Sequence, residues 1–108
     1  MSAVNWKKLA NQIPHKVQLS KRLSYEVSYA RFDRPELLGE SRPATKQIII
    51  REGMGAKETV ITYIHELLHS ISDVGEVKLT ENQIQALEKF FYYALKPGNV
   101  FMEDNKDG

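Results

Sequence analysis

The order of apolar and polar positions divides the chain into a β-rich first half and a helical second half. In residues 15–32, Val17 and Leu19, then Leu23, Tyr25, Val27 and Tyr29, alternate with polar neighbours, and the alternation breaks near Ser20-Lys21. A period of two is that of a half-buried strand, so this segment predicts one strand, or a bent pair, ending near Phe32. Asp33-Arg34-Pro35-Glu36 predicts a turn, with a short strand over 37–42 after it. In residues 46–51, three consecutive isoleucines place apolar side chains on both faces, which predicts an interior strand closed by Gly53-Met54-Gly55.

The period then changes. Val60, Ile61, Ile64, Leu67, Leu68 and Ile71 recur at steps of three and four, which predicts an amphipathic helix from Ala56 to about Asp73 with Gly75 as its stop. Thr80 followed three residues on by Gln83 has the form of a capping box. Ile84, Leu87, Phe91, Ala94 and Leu95 mark the buried face of the helix it opens, and Pro97-Gly98 ends it. A short helix within residues 3–12, stopped by Pro14, precedes the strands, with Trp6 as a packing residue. The pattern predicts an α+β fold: a small antiparallel or mixed sheet packed against the long helix and a second, C-terminal helix. We expect one domain over residues 1–98 and a flexible polar tail over 99–108.

Charge and composition narrow the function classes. The net charge is +1, so nothing favours nucleic acid or an anionic membrane over the whole chain. Lys16, Lys21, Arg22, Arg31 and Arg34, interleaved with Tyr25, Tyr29 and Phe32, sketch a local basic face. Glu26, Asp33 and Glu36 dilute it, and a solvated strand edge is the better reading. No apolar run approaches the length needed to span a bilayer. The first residues, Met1 to Lys8, lack the apolar core of a signal peptide, so the expected location is the cytoplasm. With no cysteine there is neither a disulfide framework nor a thiolate ligand. Any metal falls to histidine and carboxylate.

Those residues are concentrated in the long helix. His65-Glu66-Leu67-Leu68-His69 is an H-E-x-x-H motif, formed by two of only three histidines in the chain. Positions i and i+4 lie one above the other on a helix, so both imidazoles project from one side and can share one zinc ion. Glu66 is adjacent and is placed to take a proton from a water activated by that ion. His65 and His69 fall off the apolar stripe, together with Thr62 and Asp73, so the helix is expected to bury one side and offer the other to a cleft.

Catalytic zinc generally takes three protein ligands, and the motif supplies two. Asp73 is eight residues beyond His65, about 12 Å along the axis, which is too far for a shared ion. Glu76 follows the helix stop, while Glu81 and Glu88 lie seven apart on one face of the second helix. The short connection makes the two helices antiparallel neighbours. We take Glu81 as the first choice, Glu88 as the second and Glu76 as the third. His15, beside Pro14, is remote in sequence and reads as a surface residue.

Residues 46–95 resemble the small HExxH domains of zincin-like metallopeptidases. The resemblance is to compact versions common in phages and prophages, loosely related to the ImmA/IrrE-like and SprT-like domains. It is carried by Ile48-Ile49-Ile50 ending a β-rich segment, by Thr62 to His69, and by Leu79-Thr80-Glu81-Asn82-Gln83-Ile84 opening the second helix. It implies a minimal zincin-like fold in which His65 and His69 hold Zn2+, Glu66 is the general base and Glu81 completes the site. It also implies a peptide or protein substrate and, for a phage-encoded chain, action in the host cytoplasm. The chain departs from metzincins, with Ser72 and Gly75 where those carry a glycine and a third histidine. The expected function is therefore a zinc-dependent metallohydrolase, in the first place a metallopeptidase. The alternatives are a non-catalytic partner-binding or regulatory module with a structural or vestigial zinc site and, behind it, a nucleic-acid-binding protein.

Overall fold

Three adjacent isoleucines set the centre of the sheet. In the computed structural model, which describes residues 4–75 and 77–94 and the side chains of all of these but 91–94, they form β4 (Gln47–Arg51). Ile48 and Ile50 are fully buried and Ile49 nearly so. One neighbour of β4 is β2 (Leu23–Ala30), paired parallel, with Val27 opposite Ile48 and Tyr29 opposite Ile50. The other is β3 (Gly39–Arg42), paired antiparallel. β1 (Lys16–Ser20) adds antiparallel to β2, giving the order β1-β2-β4-β3 in a mixed four-stranded sheet. The break at Ser20-Lys21 is a hairpin turn, since Ser20 pairs with Leu23 and the register shifts between Gln18 and Ser20. The expected bent pair is thus β1 and β2.

One face of the sheet carries the core. Tyr25, Val27, Ile48 and Ile50 form a buried cluster against which Tyr63, Leu67 and Val74 of the long helix α2 (Ala56–Val74) pack. A short helix, α1 (Trp6–Asn11), is capped by the Asn5 side chain, which accepts from the Lys8 N–H at 3.0 Å. It lies against α2, where the Lys57 ammonium stands 6.0 Å from the centre of the Trp6 ring. α3 (Glu81–Ala94) opens with the expected capping box: Gln83 N–H donates to Thr80 Oγ1 at 3.1 Å, and Thr80 N–H to Gln83 Oε1 at 2.8 Å. The connection before it is held by Ser72 Oγ, which donates to the Val77 carbonyl and accepts from Leu79 N–H. Buried Ile84 seats α3 on α2. Among the described residues this is an α+β fold of three helices and one small mixed sheet, and no helix is long and apolar enough to cross a membrane.

The expected faces of α2 need one correction. Ile71, assigned to the buried stripe, is 36% exposed, whereas Thr62 and Ser70, outside it, are buried. The cause is β3. Its Ser41 hydroxyl meets Ser70 Oγ at 2.8 Å, and the Ser70 O–H donates to the Glu66 carbonyl at 3.0 Å. A hydrogen-bonded serine pair is buried at little cost. Strand β3 therefore covers part of the polar side of α2, while Thr62 and His65 on that side still line a cavity. The basic face also loses a member, because Tyr25 is fully buried. Arg31 and Arg34 pair with Glu52 and Glu36. The expectations for Glu76, for a helix end at Leu95 and Pro97-Gly98, for the side chains of Phe91 and Ala94, and for a tail over 99–108 lie outside the described residues.

Gly39 lets β3 approach this closely. A Cβ there would lie 2.6 Å from Thr62 Cγ2 and 3.0 Å from Glu66 Cγ. Thr62 is buried and β-branched, with little freedom to move aside. Gly39→Ala is expected to destabilise the fold by about 1–3 kcal/mol through overpacking, read as a lower denaturation midpoint. Wild-type stability in the variant would show that the strand shifts without cost.

Candidate metal centre

The middle of α2 supplies His65 and His69, one helical turn apart, with ring centroids 4.9 Å from each other. α3 runs beside them and brings two carboxylates to bear. Glu81 Oε2 lies 3.2 Å from His65 Nε2, and Glu81 Oε1 lies 3.1 Å from His69 Nε2. Glu88, two turns further along α3, places Oε1 at 2.8 Å from His65 Nδ1. Gln85, between them, donates to Glu81 Oε2 at 3.4 Å. The first-choice residue of the sequence reading is the one that joins both histidines. The second choice sits on the far nitrogen of His65. Glu76 lies outside the described residues. Asp73 and His15 are exposed, and the His15 carbonyl serves the β1–β2 region by accepting from Val27 N–H.

The hydrogen bonding decides what this cluster needs. An ionised carboxylate only accepts, so the 2.8 Å contact has His65 Nδ1 donating to Glu88. In the neutral imidazole Nε2 then carries a bare lone pair, aimed at another carboxylate oxygen only 3.2 Å away. Two acceptors face each other across that gap, and His69 Nε2 faces the second oxygen of the same carboxylate. The His65 contact needs a cation between its partners, either an extra proton on that imidazole or a metal ion, while His69 Nε2 can meet Glu81 as a donor or, without its proton, as a ligand. The donor chemistry fits zinc: two imidazole nitrogens and one carboxylate oxygen, all within 4.8 Å of one another. Bonds of about 2.0–2.1 Å in a tetrahedron put neighbouring ligand atoms roughly 3.3 Å apart, close to the two contacts across Glu81, one to each of its oxygens. Glu88 holds the ring of His65 so that Nε2 faces inward, the usual place for a carboxylate behind a metal-bound histidine.

Glu66 occupies a different side of the helix. It is half-buried against β3, with Gly39 beside its Cγ, and it lines a cavity of 480 Å³ together with Leu38, Gly39, Thr62 and His65. Burial pushes its carboxyl above the ordinary value; His65 and His69 pull it down, and Glu81 and Glu40 push it up. Gln85, Glu88 and Lys89 of α3 close the opposite wall. His65, Glu88 and Glu66 thus share one cavity. Glu88, the carboxylate behind His65, has no motif of its own, and its one signal in the sequence is the seven-residue spacing from Glu81. Gly39 had no signal, because a close approach depends on which strand lies beside the helix.

Removing the outer carboxylate separates holding the metal from orienting its ligand. Glu88→Ala is expected to weaken zinc binding by about 10- to 100-fold while leaving the stoichiometry at saturation unchanged, measured by competition with a chromophoric chelator. An unchanged affinity would reduce the Glu88 contact to a surface ion pair.

The described residues thus bring a helical H-E-x-x-H pair together with a carboxylate from a neighbouring helix. Comparison with protein-family models, with curated proteins and with solved structures finds no match to this chain.

Proposed function

We propose that this chain is a zinc-dependent metallohydrolase of minimal zincin-like type, acting as a metallopeptidase on a cytoplasmic peptide or protein. The observation that carries the reading is the opposition of acceptors around Glu81, with His65 Nε2 turned toward it by the Glu88 contact. His65, His69 and Glu81 would hold the ion. Zinc there would supply a water of lowered pKa and a Lewis acid for the scissile carbonyl. Glu66 accepts the proton of the attacking water as its oxygen bonds to the carbonyl carbon, then delivers that proton to the amine as the C–N bond breaks. Its half-buried carboxylate, within the same cavity as His65, suits that exchange. β3 is an edge strand whose first residue, Gly39, lines the cavity, so an extended substrate can run beside it by strand addition.

A second reading has an observation of its own. Glu81 and Glu88 tie α3 to α2 where Ile84 is the buried apolar side chain among those described on α3. A metal at this place would also fasten the helix, as a structural site does. The two readings separate on a pool of internally quenched peptides incubated with zinc-loaded protein. The peptidase reading expects cleavage that stops with a chelator and returns with zinc. Stoichiometric zinc with no cleavage of any peptide would favour the structural module.

A further inference from the structure

Resting on the metallopeptidase reading, a further feature of the cavity bears on what it binds. Leu37 and Leu38 remain 37% and 42% exposed, and both line the cavity that holds His65 and Glu66. Free loops tend to turn such side chains inward, since each large aliphatic group loses about 1.5–3 kcal/mol by staying in water. Here the backbone does not allow it. Arg51 Nε donates to the Leu37 carbonyl at 2.8 Å, Arg51 Nη2 donates to the Arg34 carbonyl, and Arg51 N–H donates to the Leu38 carbonyl at 2.8 Å. Leu37 N–H closes the turn on the Arg34 carbonyl at 3.1 Å. The Phe32 ring lies 5.6 Å from the centre of the same guanidinium. One arginine thereby fastens the segment on both sides of the leucines. Ile61, one turn before His65 on α2, lines the same cavity.

We infer that Leu37, Leu38 and Ile61 form a specificity wall for a large aliphatic or aromatic side chain next to the scissile bond of an extended peptide. The position supports a peptide rather than a free apolar ligand. Leu38 leads directly into β3, an edge strand, and a chain laid beside that edge turns alternate side chains to the same side. A side chain directed to the wall then sits beside the carbonyl presented to the histidine cluster. The discrimination expected from covering one such side chain is about 10- to 100-fold.

Peptide hydroxamates test this without turnover, because the hydroxamate chelates zinc whatever its side chain. Zinc-loaded protein is titrated calorimetrically with acetohydroxamate, a glycyl hydroxamate and a leucyl hydroxamate. The leucyl compound is expected to bind at least about tenfold more tightly than the glycyl one. Leu38→Asp, at an exposed position that the fold does not need, is expected to abolish that difference while retaining zinc and acetohydroxamate binding. Equal affinities for the two compounds in the wild type, or a preference that survives in both Leu37→Asp and Leu38→Asp, would overturn the wall. Failure to bind zinc at all would overturn the metallopeptidase reading and this inference with it, and the zinc content of the same samples distinguishes that outcome from flat selectivity.

Discussion

Glu66→Gln is expected to keep its zinc and lose about 10²- to 10⁴-fold in turnover, the usual range for a general base. The amide has the shape of the carboxylate, so the close packing of Glu66 Cγ against Gly39 is retained. What disappears is the ability to accept a proton. Stability should not fall, because burial works against the charged form of this side chain and the neutral amide avoids that cost. The ligands around Glu81 are untouched, so zinc content at saturation should equal that of the wild type. The pair of measurements is zinc per chain and the rate of peptide cleavage. Cleavage that persists in the zinc-loaded variant would remove Glu66 from the chemistry, whatever the metal does.

The second large effect concerns the cluster itself. His65→Ala and Glu81→Ala are each expected to reduce zinc affinity well beyond the 10- to 100-fold assigned to loss of an outer carboxylate such as Glu88. Each removes a donor atom and not just its support. Zinc at about 1,000 times its dissociation constant stabilises a folded protein by about 4 kcal/mol. For a domain of this size that is a rise of roughly 15 °C or more in Tm, and both variants should lose it.

Much of this arrangement is legible in the residues taken in order. The isoleucine run of β4, the Thr80–Gln83 cap and the period of α2 are local signals, and local physics governs them. The histidine pair is local as well, since the spacing that brings the rings together is set by one helix. Glu81 could be named because the short connection between the helices makes α3 an antiparallel neighbour of α2, so that a glutamate opening it can close the site from the side. Other features depend on what lies beside an element. The parallel pairing of β2 with β4 leaves no mark on alternation, since both strands would read the same if antiparallel. Ile71 and Thr62 exchange their expected environments because β3 meets the polar side of α2. The role of Glu88 depends on which way the His65 ring turns, and spacing along α3 does not specify that.

The central claim is that His65, His69 and Glu81 hold one zinc ion. Elemental analysis of purified wild type and His69→Ala, each equilibrated with zinc and passed through a desalting column, tests it most directly. The account predicts close to one zinc per chain in the wild type and little or none in the variant. Wild type that retains no zinc, or a variant that retains as much, would contradict it.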